Sequence, residues 1–539
     1  MKITIGNDHL TLEDFKKILF EDANIEIGSK AAKRVEKCYN FLEDFTKNKL
    51  IYGINTGFGP MAQYRIEEEE QTQLQYNLIR SHTTGMGNSI SPIFVKSLMV
   101  ARLNTLLKGY SGVHPELVEL LCEYINNDVL PVIYEHGSVG ASGDLVQLSH
   151  LALSLIGEGK VSDLKGNVQN TEDVIQDLGL EPFKIRLREA LALMNGTSAM
   201  TGIGIVNAIH AQNLMNWSIL ASAMIVELVE SFDDHYSYEL NAVKLHEGQA
   251  YVAKKMRNVL KDSSLVRSRR EHHYEKKVTV NVLKEKMQEY YSIRCVPQIL
   301  GPIHDTIEQV INVLIAEVNS VNDNPIVDAE RGDVYHGGNF HGDYVSLEMD
   351  KLKTAITKLS MLSERQLNYL LNDKLNQILP PFVNLGKLGF NLGMQGAQFV
   401  ATSTVAENQT LSFPMYVHSI PNNNDNQDIV SMGSNAALLA SKVIENTFQI
   451  LAVEFLTIIQ AVDYLGFEDK LSSCSQRVYQ QLRELVPVFS NDTIMYPKIG
   501  AVKDYLYNTT IDITSKGCKM VNSVEANTEI EIEVECCPV

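Results

Sequence analysis

Three consecutive small residues, Ala141-Ser142-Gly143, lie inside the stretch HGSVGASGDLVQLSH that runs from His136 to His150, with Gly137 and Gly140 before them and Asp144 after. Glycine lacks the Cβ that forbids most of φ/ψ space, so such a stretch can fold tightly on itself. Leu145, Leu148, Leu151 and Leu155 follow at helical spacing and place the turn just ahead of a helix N-terminus. Free N–H groups and a partial positive charge at that end favour an electron-poor or anion-accepting centre. Three readings compete. The first is a glycine-rich connection into a helix with no chemistry. The second is a serine nucleophile, but a nucleophile elbow needs G-x-S-x-G, and Asp144 stands where the second glycine belongs. In the third the backbone itself reacts: the Gly143 amide nitrogen attacks the Ala141 carbonyl and Ser142 loses its hydroxyl as water, giving a methylidene-imidazolone, an electrophile made from the chain. The residue types permit this ring without selecting it.

Further stretches share the chain with this turn: YGINTGFGP at 52–60, NGT at 195–197, YSIRCVPQ at 291–298, GGNFHG at 337–342 and NQDIVS at 426–431. Together with GSVGASGDLVQLSH, and in the same order, they resemble the aromatic amino acid ammonia-lyases, the family of histidine, phenylalanine and tyrosine ammonia-lyases and related aminomutases. The resemblance covers residues 10 to 506 and is greatest to bacterial tyrosine ammonia-lyases. It implies a mainly α fold, an elongated central helical bundle with a smaller N-terminal region carrying the prosthetic-group turn, in the fumarase/aspartase-like architecture. It also implies a 4-methylidene-imidazol-5-one formed autocatalytically from Ala141, Ser142 and Gly143, with no metal or nucleotide, and a homotetramer with shared active sites.

Residue roles follow from the same resemblance. Tyr52, which in an arbitrary loop would simply be packed, corresponds to the proton-transfer tyrosine, and Tyr291 belongs to the catalytic set. Ser81 and His82 match the pair that faces the substrate ring; a histidine there can hydrogen-bond a phenol or an imidazole, whereas phenylalanine-specific relatives place apolar side chains at the pair. Asn195, otherwise an ordinary Asn-Gly turn residue, matches the residue holding the amino-acid head group and the ring carbonyl. Arg294 matches the clamp for the substrate carboxylate, where a planar fork can give two parallel hydrogen bonds. Asn324 matches a head-group contact and Phe340 a wall of the prosthetic-group pocket. Gln427 stands where histidine lyases resemble a glutamate and where phenylalanine and tyrosine lyases resemble glutamine, which favours tyrosine as substrate.

These residues need elements to position them. Thr11 and Glu13 open a helix ahead of Phe15, Ile18 and Leu19. Gly53, Gly57 and Gly59 keep the Tyr52 stretch a loop. An amphipathic helix runs from near Glu70 to His82, a second follows the central turn, and a third spans Arg186 to Met194. Gln288, Tyr291 and Arg294 are three apart and share one face if that stretch is helical; Gln288 and Tyr291 would then line the site beside Arg294. Long helical patterns occupy 200–232, 347–375 and 432–465, beyond ordinary helix length. The chain therefore divides into 1–200, carrying the prosthetic group and substrate loop, a helical bundle over 201–506, and an acidic tail over 507–539, flexible or lightly docked and without a role in the chemistry. Within that tail, Thr528–Glu535 alternates with a period of two, as an exposed strand or a disordered segment would.

Composition bounds the rest. The 539 residues exceed one ordinary core, and 45% hydrophobic with 21% charged residues is a soluble globular balance. A net charge of −19 disfavours nucleic acid or an anionic membrane as partner and suits a small amino-acid substrate. Seven cysteines without paired spacing suggest reduced thiols, and with an N-terminus lacking an apolar core region they point to the cytoplasm. The apolar segment 202–229 is interrupted by Asn207, His210, Gln212, Asn213 and Asn216, so it reads as bundle core rather than a membrane span. His336 and His341 lack a third ligand at metal spacing. The expected reaction is elimination of ammonia from L-tyrosine to trans-p-coumarate. Histidine ammonia-lyase and tyrosine 2,3-aminomutase remain alternatives within enzymes, and a catalytically silent helical scaffold is the alternative outside them.

Overall fold

The computed structural model describes residues 1–47, 49–275, 279–282 and 286–522, and the chain is mainly α-helical with short two- and three-stranded sheets. Among the described residues four helices exceed 20 residues: Ser198–Leu228, Val296–Val318, Asp343–Leu371 and Gly433–Leu465. The chain forms two compact units, one of residues 1–209, 309–351 and 414–441, the other of 210–308, 352–413 and 442–539. Four of the five boundaries between them fall inside a long helix and the fifth lies just after the helix Gln395–Leu411, a division that differs from the linear one expected from the sequence. A helix of about 30 residues spans about 45 Å, and such a length passes through more than one compact unit.

In the first unit, Pro92–Leu107 is buried on all sides from Phe94 to Leu107, which is why it shows no amphipathic stripe. It packs against Leu12–Phe20, Ser29–Phe45 and Pro115–Asn126. Leu12–Phe20 starts where expected, with Thr11 and Asp14 forming a reciprocal capping box. Cys38, Leu42, Ile51, Ile54 and Val327 form one buried cluster, so the two isoleucines flanking Tyr52 anchor its loop. The helix carrying Ser81 and His82 runs Glu68–His82, two residues earlier than read from the sequence. The helix before Asn195 is shorter than expected, Glu189–Met194: Arg188 leaves helical geometry at φ −135°, while the Glu189 carboxylate accepts from the Arg186 and Leu187 amides and caps the start.

In the second unit, Trp217 is fully buried, edge-on to Phe455 with ring centroids 5.6 Å apart, and its indole N–H donates to the Thr509 carbonyl over 3.1 Å. That carbonyl opens an antiparallel hairpin, Thr509–Thr514 with Gly517–Asn522. Ile511 and Ile513 are buried and Asn213 donates to the Leu506 and Thr509 carbonyls, so the start of the expected flexible tail is folded structure. The alternation at Thr528–Glu535 and the Cys536-Cys537 pair lie outside the described residues. Cys518 is bonded to Cys474, 44 residues away, with Cα atoms 5.5 Å apart. This corrects the expectation of reduced thiols throughout; the pairing arises because the hairpin packs on the helix Ser473–Leu485, a contact invisible in cysteine spacing. Gly433–Leu465 is long and apolar enough to cross a membrane, and 78% of its apolar window is buried inside the protein.

Candidate active site

The turn at Ala141-Ser142-Gly143 is built on backbone contacts that only glycine allows. Gly143 has φ +71°, and a Cβ there would stand 2.1 Å from the Gly196 carbonyl oxygen. The two glycines pair as an isolated parallel bridge, and the Asp144 amide donates to the Gly196 carbonyl over 2.8 Å. On the other side a Cβ on Gly140 would stand 2.0 Å from Ser431 Oγ, whose hydroxyl donates to the Gly140 carbonyl. The following helix is Leu145–Leu155, as expected. In the sequence Asp144 stands out only as the residue that breaks a nucleophile elbow. It is in fact fully buried, and its carboxylate accepts from Ser138 Oγ at 2.7 Å, Ser434 Oγ at 2.6 Å and the Met200 amide at 2.8 Å. Burial raises its pKa against the pull of those donors.

Ser142 lies half-buried in a cleft of about 300 Å³ that also presents His82, Val146, Asn423 and Gln427. Gln427 Nε2 donates to Ser142 Oγ over 2.8 Å, and Asn195 Nδ2 donates to the Ser142 carbonyl over 2.9 Å. Asn195 is buried and its Oδ1 accepts no hydrogen bond from the described residues. His82 Nδ1 lies 3.0 Å from the Leu78 carbonyl and 3.0 Å from Ser81 Oγ. A carbonyl only accepts, so Nδ1 carries the proton and Nε2 is the acceptor of the neutral ring. Burial lowers the His82 pKa, with the Leu78 carbonyl opposing, and so favours that neutral ring.

Tyr52 borders the cleft at one remove. Its hydroxyl accepts from the Gly59 amide over 3.2 Å, and a Cβ on Gly59 would meet the side chain of Asn423 at 3.0 Å. Asn423, Asn424 and Asp425 are three successive non-glycine residues at positive φ. Asn324 is buried, accepts from the Gly337 amide on its side-chain oxygen and from Arg188 on its backbone carbonyl, and is not among the cleft residues. Phe340 is half-buried on the loop that reaches the turn two residues later, where the Gly342 amide donates to the Gly140 carbonyl.

Gln288, Tyr291 and Arg294 belong to the second unit, where they form a cluster of their own. The expected shared helical face is corrected: the helix covers only Tyr291–Arg294, because Tyr290 is extended, and Gln288 precedes it. The three residues still meet, with Arg294 donating to Gln288 Oε1 and its guanidinium 4.7 Å from the Tyr291 ring centroid. Tyr291 is 69% exposed.

Two fully buried arginines back the first unit's site, and nothing in the sequence marked them. Arg102 donates to the Ala192 carbonyl and to Asn322 Oδ1, while Arg188 holds the Ser111 and Asn324 carbonyls and lies 3.6 Å from the buried Asp323 carboxylate. Among the described residues no three His, Cys, Asp or Glu side chains are grouped to hold a metal. The donor set around Ser142 suits a ring made from the turn itself: the Asn195 amide already meets the carbonyl that such a ring retains, and Gly143 has no side chain to obstruct its amide.

A family model described as aromatic amino acid lyase matches residues 10–484. The chain is 37% identical to the MIO-dependent tyrosine 2,3-aminomutase of Streptomyces globisporus, over 94% of each sequence. It is 38% identical to a histidine ammonia-lyase of Staphylococcus aureus, over 95% of this chain and 99% of that protein. The solved tyrosine aminomutase from Streptomyces globisporus superimposes with a TM-score of 0.90, covering 94% of this chain and 97% of that one at 36% identity. A motif-bearing turn, its surrounding donors and full-length likeness agree: this chain is a member of the aromatic amino acid lyase family.

Proposed function

We propose that this protein removes ammonia from L-tyrosine to give trans-p-coumarate, after its Ala141-Ser142-Gly143 turn has converted itself to a 4-methylidene-imidazol-5-one. The observation that carries this reading is that Ser142, His82 and Gln427 line one cleft, with a histidine acceptor and a neutral amide and no carboxylate among its lining residues. A tyrosine phenol is a hydrogen-bond donor and matches the Nε2 lone pair of a neutral His82.

Formation of the ring balances without an oxidant. The Gly143 nitrogen bonds to the Ala141 carbonyl carbon, and that carbonyl oxygen leaves as water with the amide hydrogens of Ser142 and Gly143. Ser142 then loses its Cα hydrogen and its hydroxyl as a second water. The ring supplies an electrophile that eases departure of the amine and loss of the weakly acidic β-proton. Asn195 Nδ2 holds the carbonyl of residue 142, leaving Oδ1 to accept from the substrate ammonium. Tyr52, acting as phenolate, takes the β-proton on its oxygen and becomes the phenol, and the Gly59 amide orients that oxygen. Ser81 supports His82, Asn324 contributes to the head-group contacts, and Phe340 walls the prosthetic group.

Arg294, with Gln288 and Tyr291 beside it, binds the substrate carboxylate. These three are contributed in a homotetramer with shared active sites, which the family resemblance supports. A cytoplasmic location belongs to the same proposal; the Cys474–Cys518 bridge weighs against it, since such bonds are rare in reducing compartments.

A second reading is tyrosine 2,3-aminomutase, favoured by the name of the Streptomyces relative. Product analysis after incubation with tyrosine separates the two. Coumarate with an equivalent of ammonia supports the lyase, and β-tyrosine without free ammonia supports the aminomutase. Replacing Ser142 by alanine abolishes either activity while leaving the fold intact; retained turnover would remove the prosthetic-group reading.

A further inference from the structure

We propose that Arg102 is a positioning residue for the self-modifying turn, acting on Gly143 through Gly196; the inference rests on the ring-forming reading above. Three layers of backbone and side chain stand closer together than any residue with a Cβ would allow. The Gly196 backbone fills the side-chain space of Gly143, 2.1 Å from where that Cβ would be. The Arg102 guanidinium fills the side-chain space of Gly196 in the same way, with Nη1 2.1 Å from the Cβ position. Behind the amide that must attack Ala141 stands Gly196, and behind Gly196 stands Arg102.

The guanidinium also holds both ends of the Gly196 turn. One fork donates to the Ala192 carbonyl and to Asn322 Oδ1 at 3.2 Å, and Ser198 Oγ lies 3.5 Å from Nη1. Ala192 is three residues before Asn195 and Ser198 three after, so a single planar group spans the segment that carries the Asn195 amide onto Ser142. A lysine ammonium offers one nitrogen on a flexible stem and cannot reproduce that span. Arg102 is fully buried, and burial lowers its pKa to about 10 against the favourable field of Asp323, so it stays a cation at neutral pH. Burying an arginine is costly and is sustained here by four neighbours from two separate stretches of chain, Ala192 and Ser198 from one and Asn322 and Asp323 from the other.

Ring closure is an intramolecular attack, and its rate depends on how well the attacking and accepting atoms are held together. Gly196 bounds the movement of Gly143 away from Ala141. Arg102 bounds the movement of Gly196. Loosening Arg102 should therefore leave a folded protein whose turn closes slowly or not at all.

The test is the mass of the proteolytic peptide containing residues 141–143, measured for the wild type, Arg102→Lys and Asn322→Ser, with Ser142→Ala as the folded, unmodifiable control. The wild-type peptide is expected to be two water molecules lighter than its sequence. Arg102→Lys, matching the control in far-ultraviolet circular dichroism and assembly state, is expected to carry the ring in about a tenth of chains or fewer. Asn322→Ser, which keeps the guanidinium and removes one acceptor, is expected to fall between. Complete ring formation in folded Arg102→Lys would overturn the inference, and so would failure of both variants to fold, because Arg102 would then serve folding alone. A wild-type peptide of unmodified mass would remove the ring-forming reading itself and is distinguishable from either result.

Discussion

The Asn195 side-chain amide donates to the Ser142 carbonyl over 2.9 Å while its own oxygen, though buried, accepts nothing from the described residues. A buried amide with one end committed and the other open is a recognition group awaiting a donor. Asn195→Ala removes both functions. The expected loss is about 1.5 to 3 kcal/mol of transition-state stabilisation, one to two orders of magnitude in kcat/KM for the preferred amino acid, with unchanged thermal stability. Steady-state kinetics beside a melting curve check it.

His82 governs which ring is accepted. Its neutral form offers Nε2 to a donor, and burial has already lowered its pKa below the ordinary imidazole value. Protonation removes the acceptor, so KM for tyrosine should rise as pH falls below that lowered value, while kcat changes less. His82→Leu should abolish this acid limb and bring phenylalanine turnover within about tenfold of tyrosine turnover. A pH profile of KM for both proteins is the measurement.

Gln427 places a neutral amide against Ser142 Oγ at 2.8 Å. Gln427→Glu introduces a carboxylate, which a charged or strongly donating imidazole meets better than a phenol does. The ratio of kcat/KM for histidine over tyrosine should rise by about tenfold or more, in line with a charge-assisted hydrogen bond of about 1.5 to 3 kcal/mol. Competition between the two amino acids in one vessel reads the ratio directly.

Glu454 gives the second unit a pH signature. It is fully buried, and burial raises its carboxyl pKa to about 8, with the Ser363 hydroxyl opposing. Between the unfolded value of 4.5 and about 8 the native state holds a proton that the unfolded chain has released, so stability falls as pH rises through that window. Glu454→Gln cannot ionise. Its stability should match the wild type near pH 5 and exceed it above pH 8, by about 4 to 5 kcal/mol at most. Chemical unfolding of both proteins at the two pH values checks the sign.

Much of this architecture is legible in sequence because it is local. The Thr11 cap, the helix after Asp144 and the glycine-rich Tyr52 loop all depend on neighbours within a few residues. Three of the four long helices are legible from their period, although their ends shift by up to four residues, while Val296–Val318 is not among the long patterns read from the sequence. What escapes is contact between distant parts of the chain. Gln427 meets Ser142 across 285 positions, and only likeness to known lyases pointed to it. Arg102 stood inside an unbroken buried helix with no stripe to mark its face, and Asp144 looked like a mere interruption of another motif. The period of three at Gln288, Tyr291 and Arg294 suggested a helix that begins three residues late, yet the three side chains still meet. The Cys474–Cys518 bond was hidden because neither cysteine sits at a recognisable interval from the other.

The most direct measurement is ammonia release and acid product from tyrosine, histidine and phenylalanine supplied separately to the purified protein, with Ser142→Ala in parallel. The account predicts that tyrosine is deaminated fastest, with one coumarate formed per ammonia, and that the variant is inactive. Preferred turnover of histidine, tyrosine consumption without ammonia, or an active Ser142→Ala protein would contradict it.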